Sequence, residues 1–152
     1  MPRSIWTYVV LAVPILGLAV LLFGQSNAPM GGHDMTIPDT SKMESGAPLA
    51  EVIVPASFSE NAQIGKTAFD GACASCHGAN AAGQNGVAPP LVHKTYEPGH
   101  HGDQAFLSAA QNGVQSHHWN FGNMPPVQGL TSSDVKYIVA YIRELQQANG
   151  IN

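Results

Sequence analysis

The two cysteines of the chain and the histidine beside them form the most informative group of reactive side chains. Cys73, Cys76 and His77 stand in the order C-A-S-C-H, and no other thiol is present in the 152 residues. Two thiols three positions apart on a helical turn can each form a thioether to one vinyl group of a haem, and the adjacent imidazole then reaches the iron. The motif therefore predicts one covalently attached haem c, with its iron bound by His77.

Two other interpretations of the motif need partners that the sequence does not supply. A redox-active C-x-x-C pair belongs in a βαβ setting, and the sequence contains no alternating strand pattern of useful length. A zinc site needs a second pair of ligands, for which the adjacent histidines His100-His101 and His117-His118 are the candidates. Haem attachment is the interpretation that agrees with the remaining features of the chain.

Three helices are predicted to position the motif and the loops around it. The first begins near Ser57 or Ser59 and carries small and aromatic residues at helical spacing on one face. A shorter helix spans 103–112 and stops at the following glycine. The last helix begins with Thr131 as its N-cap, has an acidic residue three positions on, and ends at Gly150.

The sequence after residue 57 resembles the class I cytochrome c family. The resemblance rests on Gly65 and Phe69 in the first helix, the C-A-S-C-H motif, G-V-A-P-P-L from Gly86 to Leu91, G-N-M-P-P from Gly122 to Pro126, and the apolar terminal helix. It implies an all-α class I cytochrome c fold, in which small helices surround a single covalent haem. The first and last helices of that fold cross, which would bring Gly65 and Phe69 to the region of Tyr137 and Tyr141.

The same resemblance implies the other residues of a haem site. Met124, the only methionine after the haem motif, would be the distal iron ligand, in a loop held by flanking prolines. A thioether ligand raises the reduction potential, and a closed iron suits electron transfer better than oxygen chemistry. The alternative is that Met124 belongs to the core and a histidine completes the iron coordination. The carbonyl of Pro89 would accept the Nδ1–H of His77 and orient that ring, although spacing alone does not distinguish Pro89 from Pro90.

Five further histidines fall in the loops around the expected haem. These are His93, His100, His101, His117 and His118. One interpretation is that they hydrogen-bond to haem propionates or face solvent. The other is a second metal site, for example for copper, built from the two adjacent pairs. For such a site we expect one histidine from each pair, because adjacent histidines rarely bind one ion without backbone strain.

The first 24 residues predict a membrane element. The stretch Ile5–Phe23 has no charged residue, and a helix of that length covers about 30 Å, close to the hydrocarbon thickness of a bilayer. Arg3 is the only charged side chain before it, which predicts a cytoplasmic N-terminus and an exported body. The alternative is a cleaved signal peptide, whose apolar region is typically shorter. We expect a single-pass protein of the bacterial inner membrane with its haem domain in the periplasm.

Residues 25–57 are predicted to form a flexible linker, and 58–152 the cytochrome c domain. The linker is rich in Gly, Pro, Ser and Thr and has neither a helical nor a strand period.

In the whole chain only 11% of residues are charged and the net charge is −4. Six basic residues cannot provide the phosphate-binding surface of a nucleic-acid-binding protein.

Taken together, these features predict an electron-transfer protein and not an enzyme. It would carry one electron at a time between extracytoplasmic or membrane redox proteins, with a terminal oxidase or reductase among the candidate partners. The alternatives are a haem subunit of a larger membrane oxidoreductase, and a haem or copper module for sensing or metal handling. Because charges are sparse, docking should depend on the apolar haem edge and only weakly on salt.

Overall fold

The computed structural model describes residues 36–152. The predicted membrane element, 1–24, and the first part of the predicted linker lie outside the described residues. Within 36–152, no helix is both long enough and apolar enough to cross a membrane.

The described residues are mostly helical. Their four α-helices are α1 (Glu60–Ala72), α2 (Ala74–His77), α3 (Asp103–Asn112) and α4 (Ser132–Ala148), with short 3-10 turns at Ala79–Ala81 and Lys94–Tyr96. Residues 36–152 contain no β-strand and only two isolated β-bridges, Gln84 with Ala88 and Val114 with Met124. This architecture agrees with the predicted all-α fold.

The helix ends follow from local hydrogen bonds that the sequence patterns predict. The side chain of Ser59 accepts from the backbone N–H of Ala62 and so begins α1. Thr131 and Asp134 form a reciprocal capping box at the start of α4. Helix α3 ends before Gly113, whose φ of +75° is a left-handed conformation that glycine adopts without strain. The predicted starts of α1 and α4 and the predicted bounds of α3 are confirmed.

The crossing of α1 and α4 forms the centre of the core. Phe69 on α1 and Tyr141 on α4 are both fully buried, and their ring centroids are 5.5 Å apart. The helices approach closely because Gly65 has no side chain: a Cβ atom there would lie 1.8 Å from the carbonyl oxygen of Tyr137. The expected contact between Gly65, Phe69 and the Tyr137–Tyr141 region is confirmed.

Part of the stretch predicted as a flexible linker is bound to the helical core. The side-chain amide of Asn85 lies 3.0–3.3 Å from three carbonyl oxygens of this stretch, those of Thr40, Met43 and Glu44. Farther along, the side chain of Asn149 accepts from the N–H of Ile53 at 2.9 Å and donates to its carbonyl at 2.8 Å. Between residues 40 and 53 the chain is therefore not a free tether, because side chains of the domain satisfy its backbone groups.

Candidate haem site

A large cavity lies among α2, α3, α4 and the loops that connect them. Its volume is about 720 Å³, and most of the side chains that line it are apolar. Cavities of this size and character commonly bury a cofactor or a drug-sized ligand. The site residues predicted from the sequence all line it, namely Cys73, Cys76, His77, Pro89 and Met124.

The C-A-S-C-H motif spans the end of α1 and the single-turn helix α2 that follows it. Cys73 caps α1 and precedes α2, while Cys76 and His77 lie in the last turn of α2. The side-chain amide of Gln84 lies 2.8–3.3 Å from the carbonyl oxygens of Ala74, Ser75 and Cys76. Gln84 therefore satisfies carbonyls at the end of this helical turn, a role that no pattern in the sequence indicated.

The environment of the two thiols does not suit a redox-active pair. Burial, together with the neighbouring Cys76, raises the pKa of Cys73 to about 11. Cysteines of reactive C-x-x-C motifs have lowered pKa values, so the raised pKa of Cys73 argues against a redox-active pair.

His77 is held in the state that an iron ligand requires. Its Nδ1 lies 2.9 Å from the carbonyl oxygen of Pro89, to which a ring N–H can donate. Burial lowers the pKa of His77, and the hydrogen bond to Pro89 opposes this shift only in part. A neutral ring protonated at Nδ1 leaves the lone pair of Nε2 available to a metal. The acceptor for His77 is the carbonyl of Pro89 and not that of Pro90, which the sequence spacing alone could not distinguish.

Met124 is positioned by a loop whose backbone is fixed on both sides. The N–H and carbonyl of Met124 bond the carbonyl and N–H of Val114, each at 2.9 Å. Gly113 allows this approach, because a Cβ there would lie 2.5 Å from the Met124 carbonyl oxygen. Beyond the methionine, the N–H of Val127 donates to the carbonyl of Ala110 at the end of α3. Met124 therefore lines the same cavity as His77 from a braced loop.

Trp119 contributes a buried hydrogen-bond donor to the cavity wall. Its indole stacks on Phe121, with ring centroids 5.6 Å apart, and both residues line the cavity. The Nε1–H is buried and has no hydrogen-bond acceptor among residues 36–152. Burial raises the pKa of Tyr96 and the nearby Trp119 side chain opposes this shift, although the two side chains do not meet hydrogen-bond geometry.

These residues fit a haem c. Cys73, Cys76, His77 and Met124 all line the same largely apolar cavity. The unpaired Nε1–H of Trp119 is a donor that a carboxylate of a bound group could satisfy. The donor set, the apolar lining and the unpaired donor are what a large, mainly apolar cofactor with an acidic side chain requires.

Three of the five loop histidines form a cluster at the edge of this cavity. One ligand atom from each of His100, His101 and His118 lies within 4.8 Å of the other two. The Nε2 atoms of His100 and His118 are 3.2 Å apart. The expectation of one histidine from each adjacent pair is not met, because the turn after Glu97 brings both His100 and His101 into the group.

The remaining two loop histidines have other contacts. His93 precedes the Lys94–Tyr96 turn, where its Nδ1 lies 3.2 Å from the N–H of Thr95, and its ring packs against Trp119 at 5.3 Å between centroids. The ring of His117 lies beside that of His118, with centroids 4.4 Å apart, but its ligand atoms do not belong to the cluster. His93 therefore contacts Thr95 and Trp119 and not the other histidines, whereas His117 lies next to the cluster.

Comparison with known proteins identifies one family. A family model described as cytochrome c matches residues 62–146, more than half of the chain, and the match includes the motif, the braced loop and most of α1 and α4. No curated protein and no solved structure matches the chain.

Proposed function

The chain belongs to the cytochrome c family and carries a covalently bound haem c, and on that basis we propose that it is a one-electron carrier with His77 and Met124 as iron ligands. Haem c supplies a one-electron couple between ferric and ferrous iron. The carrier would work between extracytoplasmic or membrane redox proteins, and no reaction of its own is assigned to it.

Each residue of the site has a distinct task in this proposal. Cys73 and Cys76 hold the cofactor by thioether bonds. The neutral His77, oriented by the Pro89 carbonyl at 2.9 Å, offers Nε2 to the iron. Met124 would supply a second ligand to the iron and, as a thioether, would favour its reduced state.

The observation that carries the proposal is the shared cavity of His77 and Met124. Both side chains are supplied by backbone that is fixed by hydrogen bonds, His77 through α2 and Met124 through its bridge to Val114. If both residues held the iron, their fixed backbone would let them move little when an electron entered or left, so little reorganisation would accompany each transfer. An enzyme or gas sensor would instead need a coordination position open to its substrate.

The rim of the cavity offers an apolar surface through which a redox partner could dock. Val87 lines the cavity and is 43% exposed, and Cys76, which also lines the cavity, is exposed. Charged side chains near the domain surface are partly neutralised, as in the Lys66–Asp70 and Arg143–Asp103 pairs. Docking at this rim should therefore depend mainly on apolar contact, and its rate should vary weakly with ionic strength.

Attachment to the membrane would place the carrier near its partners. The uncharged stretch Ile5–Phe23 supports an N-terminal anchor, with the haem domain in the periplasm. An anchored carrier meets membrane oxidases and reductases at a raised effective concentration. In cell fractionation, we expect the full-length protein to sediment with the membranes and to be released by detergent but not by high salt. Recovery in the soluble fraction would contradict the anchor, and co-purification with one enzyme through detergent would instead favour a fixed subunit.

Carbon monoxide binding tests the carrier function, because the gas binds rapidly only to ferrous iron with an open position. We expect the reduced, haem-loaded protein to bind carbon monoxide slowly and its redox titration to follow a reversible one-electron curve. Met124→Ala should bind the gas rapidly, and Met43→Ala, which changes a methionine outside the cavity, should behave as the unchanged protein. Rapid binding to the unchanged protein would contradict the proposal and favour a sensing module.

A further inference from the structure

We propose that His100, His101 and His118 bind one transition-metal ion, of the zinc or copper(II) type that imidazole ligands prefer, at the rim of the haem cavity. His101 and His118 line the cavity, and His100 stands outside it. Such a site is separate from the proposed iron ligands and does not depend on the electron-carrier function.

The spacing of the ring nitrogens is that of a metal site. Ligands 2.0–2.1 Å from a tetrahedral zinc ion stand about 3.4 Å apart. The Nε2 atoms of His100 and His118 are 3.2 Å apart and therefore already have the spacing of two such ligands. The ligand atom of His101 lies within 4.8 Å of both, so all three imidazoles stand near the spacing that one ion would require.

His101 makes the outer hydrogen bond that metal-binding histidines usually make. Its Nδ1 is 2.7 Å from the carbonyl oxygen of Thr95, a residue that is fully buried. Donation from Nδ1 fixes the ring orientation and leaves Nε2 as the atom with a free lone pair. This bond is an observation independent of the spacing, and it selects the tautomer that a metal needs.

The backbone removes the objection that adjacent histidines cannot share an ion. The N–H groups of His100 and His101 both donate to the carbonyl of Glu97, at 3.0 and 2.8 Å. This tight turn presents both rings on one side. The carbonyl of His101 also accepts from Arg143 at 2.6 Å, and that guanidinium is paired with Asp103, which offsets its positive charge.

The cluster also has a candidate fourth ligand. His117 stacks on His101 with ring centroids 5.9 Å apart, and its Nδ1 lies 2.9 Å from the carbonyl of Gln115. Donation from Nδ1 again leaves Nε2 free. The fourth position of a tetrahedral ion could therefore be filled either by His117 or by a water molecule.

Equilibrium dialysis of the full-length, haem-loaded protein against Zn²⁺, with zinc and iron both measured, tests the proposal. We expect one zinc per haem, with zinc X-ray absorption showing at least three imidazole nitrogens at 2.0–2.1 Å. His100→Asn and His118→Asn should each weaken binding at least tenfold, whereas His93→Asn, which changes a histidine outside the cluster, should not. An unchanged visible spectrum of each variant shows that the haem domain is intact and separates this result from the fate of the proposed carrier function.

Two results would overturn the metal site. The first is the absence of stoichiometric zinc binding by the unchanged protein. The second is binding that survives both His100→Asn and His118→Asn. If those variants instead change only the haem reduction potential, the rings serve the haem propionates and not a metal.

Discussion

The close crossing of α1 and α4 makes Gly65→Ala the sharpest test of the fold that surrounds the haem. The new Cβ would lie 1.8 Å from the carbonyl oxygen of Tyr137 and 2.4 Å from its carbonyl carbon. Ordinary contact begins near 3.4 Å, so the helices would have to separate by about 1.6 Å at this point. The obstacle is backbone and cannot rotate away, which places the cost at the upper end of the range for overpacking, about 3 kcal/mol.

Gly71→Ala is the matched control, because Gly71 lies in the same helix and an added Cβ meets no atom within 4 Å. Alanine is the better helix former by about 1 kcal/mol, so this variant should be neutral or slightly more stable. Thermal unfolding of the haem-loaded, full-length proteins, followed by circular dichroism, measures both changes. We expect Gly65→Ala to melt about 10 °C lower or more. Equal melting temperatures for the two variants would refute the argument from close approach.

Three further predictions concern the loop, the core and the cofactor. Gly113→Ala should weaken iron ligation by Met124, because the new Cβ would lie 2.5 Å from the Met124 carbonyl oxygen; the readout is loss of the far-red band of ferric haem. Gly129→Ala is the control, since Gly129 has a similar φ of +84° but open surroundings, and it should keep the band. Equal loss of the band in both variants would contradict the argument from the clash. Burial, aided by the charge of Asp70, raises the pKa of Tyr141 to about 12. The stability that its neutral phenol provides is therefore complete below the ordinary pKa near 10 and is lost as pH rises through 12. In urea unfolding, Tyr141→Phe should reduce the fall in the free energy of unfolding between about pH 10 and pH 12. The same pH dependence in both proteins would contradict this role for Tyr141. The haem-free chain should be largely unfolded, since a cavity of about 720 Å³ replaces much of its core, and a cooperative melt of that chain would contradict this.

The helices and the haem motif could be predicted because their signals are local. Thr131 and Asp134 stand three positions apart and cap α4 through their own side chains. Gly113 ends α3 by its freedom to adopt a positive φ. The small residue Gly65 and the aromatic Phe69 lie on one helix face. The family resemblance then predicted that this face packs against the Tyr137–Tyr141 region of the last helix.

The remaining features depend on contacts between distant residues. Asn85 reaches carbonyls more than forty positions away, and nothing near residues 40–44 indicates that partner. Ala81 has a φ of +59°, unusual for a non-glycine residue. Its carbonyl accepts from the N–H of Leu91, so tertiary structure overrides the local preference. The joint position of His100 and His101 likewise depends on how one turn folds, which their adjacency alone did not reveal.

The visible spectrum of the ferric, haem-loaded protein beside Met124→Ala tests the central claim most directly. Ligation by His77 and Met124 predicts a low-spin spectrum with the weak far-red band of sulfur-bound ferric haem. That band should disappear in Met124→Ala and persist in Met43→Ala, whose methionine lies outside the cavity. A high-spin or bis-histidine spectrum that is indifferent to Met124→Ala would contradict the assignment of the second iron ligand and, with it, the proposed electron carrier.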